Sequence, residues 1–73
     1  MKYYKYESKN KSLLMIEQLC LCRVPSWNAS GLDIGKWDGE VFVHQDDTAY
    51  DEFDTCVEEF APIDEDGNPE DIE

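Results

Sequence analysis

The chain is 73 residues long, with 41% hydrophobic residues and nine aromatics, and its 18 acidic side chains outnumber 6 basic ones for a net charge of -12. That length makes one domain, and the apolar content excludes a wholly disordered chain. The charge is also polarised: residues 1–23 hold five bases and two acids, whereas residues 46–73 hold thirteen acids and no base. Like charges repel, so the C-terminal half is excluded as a surface for nucleic acid or anionic membrane and is suited instead to a basic partner.

The N-terminus, M-K-Y-Y-K-Y-E-S-K-N-K, is polar and lacks the apolar run of a signal peptide. No stretch reaches the length of a membrane span. Cys20, Cys22 and Cys56 are odd in number, which fits free thiols in a reducing compartment, and a cytoplasmic protein is expected. The triplet Asn28-Ala29-Ser30 matches a glycosylation acceptor, but without secretion it counts as chance.

Lys2 to Glu7 alternates around Tyr3, Tyr4 and Tyr6 and is predicted as a strand, with Lys2 and Lys5 suiting an edge position. Ser8 to Lys11 is a polar turn. Ser12 to Val24 admits two readings. Leu13, Ile16, Cys20 and Val24 have helical spacing behind a possible Ser12 cap, and Glu17 and Gln18 are good helix formers, so a helix is favoured. The segment is apolar nearly all round, broken only by Glu17, Gln18 and Arg23, and the run Leu19-Cys20-Leu21-Cys22-Arg23-Val24 suits a buried strand equally well. Pro25 ends either element.

Ser26 to Gly31 is a loop carrying Trp27. Residues 32–37 and 40–45 flank Asp38-Gly39, a strong hairpin signal. A two-residue turn sets Trp37 opposite Glu40, Gly35 opposite Phe42 and Ile34 opposite Val43. The expected core face is then Leu32, Ile34, Val41 and Val43, with Trp37, Phe42 and His44 on the other and Phe42 covering bare Gly35.

Thr48 to Phe60 is the clearest helical pattern. Ala49, Tyr50, Phe53, Cys56, Val57 and Phe60 fall on one side of a wheel, and Asp51, Asp54 and Glu58 on the other, flanked by Glu52 and Glu59. Thr48 is a candidate N-cap, and Asp47, Asp51 and Glu52 suit the positive end of the helix dipole. Glu58 and Glu59 sit at the negative end, where acids are disfavoured. Ile63 to Glu73 is poor in apolar residues and dense in charge, and is expected to be a solvated tail. Together these elements predict an α+β domain over residues 1–61: a small antiparallel sheet made of the N-terminal strand and the 32–37/40–45 hairpin, covered by one or two helices. Residues 62–73 are expected to be an acidic, flexible tail.

The acidic helix is the main candidate site. Six acids from Asp47 to Glu59 along about 20 Å of helix give one charge per roughly 3.3 Å, close to the ~3.4 Å of one DNA strand. No lysine or arginine interleaves with them, whereas exposed helices usually mix both signs. The expected partner-contacting residues are Asp47, Asp51, Glu52, Asp54, Glu58 and Glu59, extended by Asp64, Glu65 and Asp66 in the tail and by Trp37 as an aromatic anchor.

Other chemistries fit less well. With Gly67 in the sixth place of a calcium loop, Asp64, Asp66, Glu70 and Glu73 take ligand places, but Pro62 and Pro69 spoil the first and eighth and no helix follows. Cys20, Cys22, Cys56 and His44 form the only plausible zinc set, with a C-x-C spacing tighter than usual. His44 with Asp33 across the hairpin lacks a nucleophile elbow and an oxyanion loop. No enzyme activity, cofactor or metal is expected.

In size and charge the chain resembles small virus-encoded inhibitors and DNA-mimic proteins, and also bacteriocin immunity proteins and antitoxins. The resemblance implies a non-enzymatic inhibitor in a bacterial or phage-infected host. It would occupy the basic groove of a nucleic-acid-binding protein such as a nuclease, a polymerase or a CRISPR effector. The alternative is an adaptor docking through the hairpin aromatics, with the acids serving solubility.

Overall fold

Burial against residues distant in sequence decides most of the architecture. A computed structural model describes residues 1–46 and 50–73, and the side chains of all of these except residues 50 and 51. Five strands, β1 (Tyr4–Lys5), β2 (Leu19–Arg23), β3 (Leu32–Trp37), β4 (Phe42–His44) and β5 (Glu59–Ile63), form one antiparallel sheet in the order β1-β5-β2-β3-β4. Two short helices, α1 (Ser8–Lys11) and α2 (Tyr50–Cys56), complete an α+β fold. The N-terminal strand lies at the sheet edge, as its lysines suggest. Ser8 to Lys11 closes as one helical turn, with the Asn10 and Lys11 amides donating to the Glu7 carbonyl at 3.0 Å.

Of the two readings of residues 12–24, the strand wins over the favoured helix. Leu19–Arg23 pairs with β3 on one side and β5 on the other. Cys20 and Cys22 therefore point to the same side, and both are fully buried. Residues 12–18 are turns and loop, with Leu14 buried and Leu13 packed on the core.

The acidic helix is shorter than predicted. It ends at Cys56, where the Val57 amide donates to the Asp54 carbonyl, and the Glu58 amide then donates to the Arg23 carbonyl of β2. Glu59 to Ile63, expected as helix end and start of tail, form an inner strand between β1 and β2. Burial explains this. Phe60 is fully buried, stacked on Tyr4 at 5.6 Å between ring centroids and tilted on Phe42 at 5.6 Å. The misfit of Glu58 and Glu59 with a helix C-terminus is thereby removed. Pro62 is tolerated because its backbone faces away from β2: its carbonyl accepts from the Glu70 amide at 3.0 Å. A domain boundary after residue 61 would cut through β5. The following segment folds back, with Asp64 Oδ1 accepting from the Asp66 and Asn68 amides at 2.9 Å each, Ile63 bridged to Pro69, and Ile72 packed on the core. A Cα radius of gyration of 10.9 Å agrees with the ~11 Å of a compact chain this long, so residues 64–73 lie against the body.

The hairpin forms around Asp38-Gly39 with its register displaced by two residues: Trp37 pairs with Phe42, Lys36 with Val43 and Gly35 with His44. The turn is a four-residue loop closed by the Asp38 amide on the Val41 carbonyl, and Asp38 Oδ1 accepts from the Glu40 and Val41 amides at 2.8 Å each. Within this turn only Gly39 takes positive φ (108°). The expected core face holds only at Val43, which is 4% exposed, and the main core lies on the other face. Trp37 and Phe42 are 4% and 0% exposed, whereas Leu32 is 39% exposed and Ile34 is half-buried. Three aromatic rings outweigh four aliphatic side chains here, because Phe53 of α2 lies over Gly35. A Cβ at Gly35 would sit 2.8 Å from Phe53 Cε2 and 3.2 Å from Phe42 Cδ1.

Candidate functional site

The expected partner-contacting residues do not share one face. Asp47 lies outside the described residues, as do the Thr48 cap and Ala49, and the same holds for the Asp51 side chain. Glu52 and Glu58 are exposed. Asp54 turns inward, and its Oδ1 accepts the Tyr6 hydroxyl and, at 2.9 Å, the Phe42 amide. The reason lies in the sheet. The Trp37 amide and carbonyl bond to the 17–18 segment on the β2 side, so the amide of its partner Phe42 faces outward from edge strand β4. An outward, part-buried N–H needs an acceptor, and α2 supplies one. Burial, reinforced by the hydrogen bond to Asp54, pushes the Tyr6 phenol well above the usual tyrosine range, so Tyr6 stays a donor at neutral pH.

Glu59 is paired with Arg23 at 3.0 Å. Asp64 holds the turn after β5. Glu65 and Asp66 are exposed, with Glu70 and Asp71 beyond them. The uncommitted acids thus fall into two groups at opposite ends of β5. From Glu58 to Glu65 is seven residues, roughly 23 Å at strand spacing, so a continuous 20 Å acidic helix does not form. Trp37 is buried against Tyr6 and Phe42, with ring centroids 6.5 and 5.2 Å away, and offers a partner little surface.

His44 is held by carboxylates on both sides of its ring. Its Nε2 lies 2.9 Å from Asp33 Oδ2 and its Nδ1 2.5 Å from Asp46 Oδ1. Trp27 Nε1 donates to the same Asp33 oxygen at 3.2 Å, and the Phe53 ring meets the imidazole edge-on at 5.4 Å. The sequence pairing of Asp33 with His44 is realised diagonally across the hairpin. The hydrogen bond to Asp46 raises the His44 pKa, burial opposes this, and Asp33 adds to the rise. With a carboxylate on each ring nitrogen, no nitrogen is left to activate a nucleophile.

Burial pushes the Cys20 thiol up to about 12 and the Cys22 thiol higher still, so neither is a thiolate at neutral pH. Among the described residues no group of three or more His, Cys, Asp or Glu could hold a metal ion, and no helix is long and apolar enough to cross a membrane.

One feature escaped the sequence reading. The turn Met15–Gln18 and the end of β5 enclose an open groove of about 490 Å³, lined by Leu19, Ile63 and several acids. Its only sequence signal was the apolar pair Met15-Ile16 directly before the polar pair Glu17-Gln18. No family model matches the chain, and no curated protein or solved structure matches it either.

Proposed function

We propose that this chain is a small acidic, non-enzymatic binding protein that docks on a basic protein surface. The surface is one that otherwise takes nucleic acid, so the chain acts as an inhibitor of a nuclease, polymerase or CRISPR effector by occupying its groove. One observation carries this reading: Glu52, Glu58, Glu65, Asp66, Glu70 and Asp71 are all exposed, in a segment of thirteen acids without a single base. Such a surface is expensive in self-repulsion, and a cationic partner relieves it. Attraction of this kind speeds association and weakens as the Debye length shrinks from about 10 Å at 0.1 M salt to about 3 Å at 1 M.

The test uses a panel of basic nucleic-acid-binding proteins, with binding followed across a salt series and against short duplex DNA. Wild type is compared with a variant carrying Glu52→Gln, Glu58→Gln, Glu65→Gln and Asp66→Asn. Competition by DNA, and a salt slope that flattens in the variant, are expected. Equal affinity of the two proteins, or simultaneous binding of DNA and this chain, refutes the reading.

A further inference from the structure

Met15 and Ile16 are 77% and 70% exposed, the two most exposed large apolar side chains among the described residues. Their neighbours Leu13 and Leu14 are drawn into the core, so the pair is not solvent-facing for want of apolar surface nearby. The turn that displays them is firmly held. The Gln18 amide donates to the Met15 carbonyl at 3.0 Å, and the Glu17 amide to the Trp37 carbonyl of β3 at 2.6 Å. Glu17 takes a φ of 74°, a left-handed conformation that is strained for a non-glycine residue. Beneath the turn lies the 490 Å³ groove, with Leu19 and Ile63 as its apolar floor. Its rim carries Glu17, Asp64, Glu65 and Glu70 against one base, Lys36.

We propose that this groove is the anchoring point for the partner, and that it takes an apolar side chain of a protein segment flanked by lysine or arginine. The inference rests on the basic-partner reading above and names the surface it uses. Charge complementarity selects the occupant. The apolar floor and the Met15–Ile16 lip bury a hydrophobic side chain, while the surrounding carboxylates meet flanking cations. A second copy of this chain would set one acidic rim against another.

The experiment is amide chemical-shift mapping of the full chain with three capped peptides. They are Lys-Lys-Phe-Leu-Lys-Lys, the equally charged Lys-Lys-Gly-Ser-Lys-Lys, and Glu-Glu-Phe-Leu-Glu-Glu. The first is expected to shift residues 15–19 and 63–65 saturably and to bind roughly tenfold or more tighter than the second, the gain from burying one large apolar side chain. The third should not bind. The double variant Met15→Ser, Ile16→Ser should lose that advantage while melting as wild type, since both side chains face water. Equal binding of the two basic peptides, mapped to Glu52, Glu58 or residues 66–68 and 71–73, overturns the groove and leaves the basic-partner reading standing. Groove binding by the acidic peptide overturns both. Self-association in sedimentation that Ile16→Ser abolishes reassigns the groove to a second copy and overturns the proposal.

Discussion

In α2 the carboxylate of Asp54 turns onto the Tyr6 hydroxyl and the outward amide of Phe42, while beyond β5 Glu65, Asp66 and Glu70 stay in water. Both segments read alike in sequence, as acids without bases. Their different fates follow from what lies within reach. A carboxylate beside an unpaired, part-buried donor is drawn into the structure, because leaving that donor unpaired costs about 1–3 kcal/mol. A carboxylate on a turn at the end of a strand finds only water and the backbone of its own turn. Counting acids therefore overstates the surface available for docking around α2 and describes the far end of β5 well.

The comparison breaks most severely at Phe53, which is fully buried over Gly35. Phe53→Ala is expected to destabilise by about 3–5 kcal/mol, comparable to the whole stability of a domain this size. An unchanged melting curve would mean that α2 is not docked on the sheet. Asp54→Ala should cost about 2–3 kcal/mol by orphaning the Phe42 amide and the Tyr6 hydroxyl. Combined with Tyr6→Phe in a double-mutant cycle, it should show a favourable coupling energy between the two side chains, and additivity would contradict the bond.

Gly35→Ala forces a methyl to within 3.1 Å of Cys22 Sγ and closer still to Phe53. A loss of about 1–3 kcal/mol in denaturant titration is expected, and a neutral result would show that the α2 layer yields easily. His44 gives a smaller, pH-dependent effect. Its pKa is raised in the folded state, so its contribution is fully present below the unfolded value of 6.5 and is lost as pH rises through the raised folded value. Melting temperature should therefore decline above pH 6.5 in wild type and decline less in His44→Gln. Parallel curves for the two proteins would refute the contribution.

The smallest effect belongs to the outer acids. Glu65→Gln, Asp66→Asn and Glu70→Gln together should change stability by no more than about 0.5 kcal/mol, with a gain if self-repulsion dominates. A loss above that, measured by urea denaturation, would place these side chains in interactions like that of Asp54.

Local patterns alone determined several features. Tyrosine–lysine alternation marked the edge strand, Asp38-Gly39 marked the hairpin turn, and the charge distribution marked an acidic C-terminal half. Each depends on neighbours within a few residues. The structure decided whatever needed a distant partner. Leu19–Arg23 became a strand because β3 and β5 flank it, which no window around residue 20 reveals. Phe60 left the helical pattern because Tyr4 and Phe42, 56 and 18 residues earlier, form its site in the sheet. The aromatic face of the hairpin became its main core face because Phe53 packs into the space that Gly35 leaves open, while Val43 alone of the expected face is buried. Helical and strand periods are both satisfied by short apolar runs, so burial against remote aromatics, worth more than local propensity, made the choice.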